Sequence, residues 1–431
     1  MTPLTSGLAA TWMLATITAA SAAPAQWSAA PSMHSARGYH TATALLTGQV
    51  LVVGGDDGPA GRRFASAELY DAAANTWTMV ASMGTVRHLH TATLLKSGKV
   101  LVAGGSTGPG GILASAEIYD PALNRWSRAA SMSTPRAGAT AVLLSDGRVL
   151  ISGGIRSGRG DAQATAEVYD PDTNRWSPAA STAQVQGGHT LTLLSSGSVL
   201  MVGAGQPQLY DPNTNTWSQA GIIAYQRGSH TATRLTDGRV LVTGGFGDTG
   251  AGGNPQTDTT EIYDPAANGW GRGATMTATR AFHTATLLAD GRVLVAGGEE
   301  ATGAYLTTTE LYDPVTNRWT LAGSLSGPRG AHTASLLPDG RVLVTAGWGD
   351  GDTYSSSEIY EPAPRSAATP EPSASASSSP GANNPALVAS PVAASQGRLS
   401  RLENVWPFLA APVLLLLAII TFRFVRRRRR I

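Results

Sequence analysis

The chain has 431 residues, a formal charge of +2, only 14% charged residues, 50 Gly and no Cys. The lack of Cys excludes disulfides, thiolate metal ligands and a Cys nucleophile. Residues 401–431 hold seven Arg and one Glu, a local balance of +6 that leaves −4 for the rest; the bulk of the chain therefore offers no basic face of the kind nucleic acid requires.

Residues 8–20 form a short apolar run, and Ala20-Ser21-Ala22 supplies a small-x-small site. That pattern predicts a secretory signal peptide over 1–22.

Beyond it the chain repeats. Trp27, Trp77, Trp126, Trp176, Trp217, Trp270 and Trp319 recur at spacings of 50, 49, 50, 41, 53 and 49. A Glu-apolar-Tyr triplet recurs with them, from Glu68/Tyr70 to Glu358/Tyr360, with Gln208/Tyr210 in the fourth copy. An Arg-x-x-His pair opens most units: Arg37/His40, Arg87/His90, Arg227/His230, Arg280/His283 and Arg329/His332. Unit three keeps Arg136 but has Ala139, and unit four has Gln186 with His189. Seven apolar runs of the Val-Leu-Val type, each entered through a turn such as Asp290-Gly291, mostly end in a Gly pair such as Gly297-Gly298.

Each unit reads as four short strands. Strand A is the His-Thr-Ala-Thr segment, strand B the Val-Leu-Val run, strand C carries Glu-apolar-Tyr-Asp, and strand D starts at the Trp. The A–B link is expected to be a type I′ turn with both central φ values positive. The C–D link is a Pro- and Asn-built turn. Four antiparallel strands per period of about 50 residues make one propeller blade.

Arg-x-x-His, the Gly pair, Glu-x-Tyr-Asp and the following Trp together resemble the kelch motif over residues 27–362. The resemblance implies an all-β, seven-bladed kelch-type propeller. It says little about ligand, since kelch propellers bind proteins or carbohydrates and a few resemble galactose oxidase. Unit seven lacks a Trp, whereas Trp27 precedes unit one without a partner. Trp27–Met33 is therefore expected to supply strand D of the last blade and remove the free sheet edge.

The repeated Trp and Tyr read as core between blades. The Arg and Glu, expensive to bury singly, are expected to pair in a structural network. The Gly pair is expected to permit a bulge or close backbone approach. The His are expected to hydrogen-bond within each blade; a metal site needs converging ligands, and a once-per-blade His is spread round a circle.

Strand direction puts the B–C and D–A loops on one face and the A–B and C–D turns on the other. The turns are copied; the B–C loops are not, and loops that break a repeat are where binding is usually found. Candidate ligand-binding residues are Arg62, Arg63, Phe64, Arg156, Phe246, Tyr305, Trp348 and Asp350, the aromatics being exposed and flanked by charge. Gly55-Asp56-Asp57-Gly58 and Gly349-Asp350-Gly351-Asp352 lack a regular calcium spacing and read as turns. No metal or cofactor is expected. A galactose-oxidase-like enzyme needs a Cys-linked Tyr radical, which a chain without Cys cannot form. No catalytic motif stands out. A paired-carboxylate hydrolase on the loop face remains the enzymatic alternative, and a purely structural envelope protein is a third reading.

Residues 363–404 form an Ala/Pro/Ser-rich stalk. Residues 405–425 hold an uncharged apolar run with Trp406 near its start, expected to be a transmembrane helix. The Arg-rich tail 426–431 is expected to stay cytoplasmic, which places the propeller outside. The expected partner is an extracellular protein or glycan.

Overall fold

The computed structural model describes residues 25–58, 61–157, 161–247 and 256–365. The expected signal peptide, most of the stalk, the apolar helix and the basic tail lie outside the described residues, as do Arg159 and Asp248.

Among the described residues the chain is all strand and turn, in seven four-stranded antiparallel sheets and one two-stranded pair, Arg227–Gly228 with Phe246–Gly247. Blade 1 comprises Thr41–Ala44, Val50–Val53, Ala67–Asp71 and Thr76–Val80, paired in that order. Five further blades follow the same plan. The last consists of Thr333–Leu336, Val342–Thr345, Ser357–Glu361 and, as its outer strand, Gln26–Ala30. Trp27 faces Tyr360 in that register, where Trp77 faces Tyr70 in blade 1. The clasp expected from Trp27 is present.

The core lies between blades because strand B is apolar on both faces. Val50, Leu51, Val52 and Val53 are all buried, and so are their counterparts round the ring. One cluster joins Leu51 and Val53 of blade 1 to Val100, Val102 and Tyr119 of blade 2. Burying each such side chain stabilises the fold by roughly 1.5–3 kcal/mol. The strand A of each blade packs beside those of its two neighbours, Thr41–Ala44 against Thr333–Leu336 where the circle closes.

The A–B turns differ from expectation. Only the Gly has positive φ, +84° at Gly48 and +85° at Gly291. Gly48 N–H donates to Leu45 O, and Leu45 N–H donates to Gln49 O. This is a type I turn closed by a left-handed Gly bulge, which needs one permissive residue where type I′ needs two. Thr47, Ser97 and Asp290 keep ordinary backbone. In the C–D turns Asn75 takes φ +52° and its Oδ1 accepts the Tyr70 hydroxyl at 2.8 Å.

Candidate functional site: the axial mouth on the loop face

The repeated polar residues are scaffold. Arg37 Nη1 donates to the Gly54 carbonyl at 2.8 Å and Nη2 to Glu68 Oε1 at 2.7 Å. The other Glu68 oxygen accepts the His34 N–H at 2.7 Å, pinning the D–A connection. The same pairing recurs at Arg87–Glu117, Arg136–Glu167, Arg227–Glu261, Arg280–Glu310 and Arg329–Glu358. Burial lowers each guanidinium pKa and the Glu opposes that shift. The second Gly of the pair approaches the next blade: Gly55 N–H reaches the Arg87 carbonyl at 2.9 Å, and Gly347 N–H reaches Arg37 O at 2.9 Å across the seam.

The His bonds cross between blades, which corrects the expectation that they stay within one. His40 Nε2 meets Thr333 Oγ1 at 2.9 Å, His90 meets Thr41 at 2.9 Å, His230 meets Thr190 at 2.9 Å and His332 meets Thr284 at 3.0 Å. Each imidazole stands just before strand A and points to the blade behind it, most to a Thr of its strand A and His189 to Ser152 of its strand B. Where Ala139 replaces His, Thr91 turns instead to the Ala103 carbonyl at 3.4 Å. Burial pushes His90 and His332 down to about 3 and His189 to about 4; the rings are neutral.

One residue before each His, and before Ala139 in blade 3, the chain takes a left-handed turn at a residue that is not copied: Tyr39, Leu89, Gly138, Gly188, Ser229, Phe282 and Ala331, with φ between 48° and 65°. Their backbones link round the axis. Leu89 N–H donates to Tyr39 O, Gly138 to Leu89, Ser229 to Gly188, Phe282 to Ser229, Ala331 to Phe282 and Tyr39 to Ala331. Inside this belt opens a cavity of about 290 Å³, with Tyr39, Phe282, Ser229 and the buried His among its lining.

A second unrepeated position abuts the belt. The residue after the Gly pair bridges to the D–A connection as Asp56 to Gly38, Ser106 to His88, Ile155 to Ala137, Phe246 to Gly228, Glu299 to Ala281 and Trp348 to Gly330. The two positions together build an aromatic arc. Trp348 packs edge-on to Tyr39 at 4.6 Å, Tyr39 to Phe282 at 6.5 Å, and Phe282 to Phe246 at 5.5 Å between ring centroids. The arc draws one ring each from blades 7, 1, 6 and 5.

Two buried carboxylates border it, Asp56 at 2% exposure and Glu299 at 3%. Asp56 Oδ1 accepts the Gly58 N–H at 3.2 Å, the turn expected there, and Oδ2 lies 3.8 Å from His88 Nε2. Burial raises Asp56 to about 7, against the pull of the Gly58 N–H and of Arg63. Burial, with Tyr305, Asp56 and Glu299 nearby, pushes the Tyr39 hydroxyl well up.

The expected loop residues divide. Trp348 and Phe246 belong to the arc, but Phe246 is buried, not exposed. Tyr305 packs over Gly330, and its N–H donates to Asp350 Oδ1 at 3.3 Å, tying the loops of blades 6 and 7. Phe64 sits at a copied backbone position, its ring stacked 5.1 Å from the buried Arg37 guanidinium and 5.8 Å from Arg62. Arg62 pairs with Asp57 at 3.0 Å and is largely exposed. Arg63 reaches the Gly61 carbonyl, and Arg156 is exposed on the blade 3 loop. Tyr39, Phe282, Asp56 and Glu299 were missing from the expected set. The signal for the first two was available: a single variable column inside Arg-x-x-His.

A model described as the KLHDC2/KLHL20/DRC7 Kelch-repeats domain matches residues 39–245, and one described as the Kelch motif matches residues 280–326. The chain is a kelch-repeat β-propeller. A comparison with curated proteins finds no matching sequence. Among solved structures this kelch propeller is similar to one described as a novel fungal alcohol oxidase with catalytic diversity among the AA5 family, in complex with copper. The TM-score is 0.67 at 21% identity, over 78% of this chain and 76% of that one; likeness at that identity concerns the fold. The kelch residues here do not suit copper. Among the described residues no three His, Cys, Asp or Glu cluster as ligands, and the axial imidazoles spend Nε2 on neighbouring hydroxyls, mostly Thr.

Proposed function

We propose that the chain is a recognition module that binds an extracellular protein or glycan across the mouth of its loop face. One observation carries this reading: four aromatic rings from four blades, all at unrepeated positions, meet edge-to-face beside an open cavity. A repeat fold conserves what holds it together and varies what it presents. Aromatic clusters beside a concavity are the usual anchors of recognition.

The direction of the chain supports it. Arg292 Nη2 donates to Ala363 O at 2.6 Å, and Arg365 forms a two-pronged pair with Asp313 at 2.7 and 2.9 Å. Both contacts hold the departing chain on the turn face. A stalk and membrane helix beyond residue 365 would leave the loop face pointing outward, away from the membrane.

The test is binding of the chain to arrays of surface proteins and glycans, comparing Trp348→Ala and Tyr39→Ser with Val315→Ala on the turn face. Ser is chosen because Ser229 fills the matching position of blade 5. Loss of a partner with the first two variants alone supports the reading; partners indifferent to all three refute it. The enzymatic alternative rests on Asp56 and Glu299 bordering one mouth, and hydrolysis of glycans abolished by Asp56→Asn or Glu299→Gln would favour it.

A further inference from the structure

We infer that the mouth takes a cationic side chain, a lysine ammonium or arginine guanidinium carried by a basic peptide, on the sector formed by blades 5, 6, 7 and 1. The inference rests on the recognition reading above and narrows its ligand to one chemistry.

Charge is divided across the loop face. The described residues of the loops between strands B and C of blades 5, 6 and 7 include Asp258, Glu299, Glu300, Asp350 and Asp352 and no Lys or Arg. The loops on the other side differ: 56–66 balances two Asp against two Arg, 106–114 is uncharged, and the described residues of 155–164 balance Arg156 against Asp161. Beneath the acidic loops, the Arg of each blade is already neutralised, Arg227 by Glu261, Arg280 by Glu310 and Arg329 by Glu358. The net field on that side is therefore negative, and it falls on the same sector as the aromatic arc.

Aromatic faces attract cations through the ring quadrupole, most strongly where water is excluded. Trp348, Tyr39, Phe282 and Phe246 supply the rings. Asp56 supplies a buried carboxylate whose surroundings serve it poorly. It faces Asp57 and Arg63 from its own loop, His88 from blade 2, and Tyr39 and Trp348 beside it. The Trp348 indole faces the same carboxylate and pulls its pKa down, but only weakly, since its Nε1 falls short of full hydrogen-bond geometry. The raised pKa of Asp56 shows that these neighbours do not fully stabilise its charge, and an incoming cation would. The cavity wall does not repel one. His40, His189, His230, His283 and His332 line it, are each more than nine-tenths buried, and burial holds them neutral.

The test uses the full-length chain and a panel of fluorescent Gly/Ser peptides that differ at one position: Lys, Arg, acetyl-Lys, norleucine or Glu. Lys and Arg peptides are expected to bind at least about tenfold tighter than the other three, a preference that weakens as salt is raised toward about 0.5 M. The triple variant Glu300→Gln/Asp350→Asn/Asp352→Asn, with changes confined to loop carboxylates outside the core, is expected to lower that affinity about fivefold or more with an unchanged melting temperature. Trp348→Leu is expected to remove the preference. Equal binding of Lys and acetyl-Lys peptides, no binding of either at about millimolar concentration, or a triple variant indistinguishable from the parent would overturn the inference. An array partner that lacks a cation yet depends on Tyr39 and Trp348 would also overturn it, while leaving the recognition reading intact.

Discussion

Trp27 and Tyr360 lie 333 positions apart in the chain and 5.1 Å apart in space, their rings tilted at 48°. The six internal Tyr–Trp pairs sit at 5.0 to 5.2 Å and 41° to 47°. The seam thus reproduces the internal geometry in all but one atom. Six Tyr hydroxyls donate to the Asn of their C–D turn, as Tyr119 does to Asn124 at 3.1 Å. Blade 7 has no C–D turn, because its strands C and D, Ser357–Glu361 and Gln26–Ala30, come from opposite sides of the repeat, and the Tyr360 hydroxyl is buried without a partner.

Tyr360→Phe is therefore expected to be neutral or slightly stabilising, whereas Tyr119→Phe should cost about 1 kcal/mol. Trp27→Ala should cost about 3–5 kcal/mol by opening both core and clasp. Urea denaturation of the three variants checks this. Equal losses for the two Tyr→Phe changes would show that the seam hydroxyl has a partner after all.

The Arg–Glu pairs are expected to matter through their mutual dependence. Arg87 and Glu117 are buried and joined at 2.7 Å. Glu117→Gln leaves a buried guanidinium without its counter-charge and should cost about 3–5 kcal/mol. Blade 4 shows an uncharged solution: Gln186 and Gln208 stand in these places, and Gln208 Oε1 still accepts the Ala183 N–H at 3.2 Å. The double change Arg87→Gln/Glu117→Gln is accordingly expected to recover more than half of the loss. A double-mutant cycle measures it, and additive losses would argue that the two side chains act independently.

What the chain reveals by itself follows from what is repeated. Trp27 without a preceding Tyr, and Tyr360 without a following Trp, specify the clasp before any coordinate is known. Arg37 with Glu68 is legible because burying either alone is prohibitive. The direction of the His bonds was hidden, because a repeat gives spacing and not which neighbour an imidazole faces; His90 reaching back to Thr41 is a fact of blade twist. The mouth was half hidden for another reason. Trp348 and Tyr305 stand in long loops that break the repeat, whereas Tyr39 and Phe282 stand in a short connection between repeated Arg and His. The Gly291 turn departs from expectation because Asp-Gly suits two hairpin types, and the extra residue closing each bulge is invisible without the register.

The ring of neutral His makes the fold sensitive to acid. In the unfolded chain an imidazole titrates near 6.5; in the fold burial depresses His90 and His332 to about 3, His189 to about 4, and His40, His230 and His283 well below their usual value. The folded state then resists protonation that the unfolded state accepts. The His contribution is complete above about pH 6.5 and is withdrawn as pH falls toward 4 and 3. The melting temperature should drop steeply below about pH 6, and His90→Gln, which can still meet Thr41, should make the drop shallower. Parallel pH profiles for parent and variant would refute the assignment.

Asp56 carries the opposite linkage. Burial raises its carboxyl from 3.8 to about 7, so the folded state favours the protonated form. Below about pH 4 the group is neutral in both states and contributes nothing; between pH 4 and 7 a penalty accumulates, and above 7 it is present in full. A shift of this size corresponds to at most about 4 kcal/mol. Asp56→Asn, close in shape and uncharged, should raise the melting temperature at pH 8 and leave it almost unchanged at pH 4. The same substitution should weaken binding at the mouth if Asp56 is kept there for a ligand's charge, since a carboxylate that lowers stability at neutral pH has no purpose in the scaffold. A variant less stable than the parent at pH 8 would show that Arg63 and the Trp348 indole already satisfy the charge, and that Asp56 belongs to the framework with the Arg–Glu pairs.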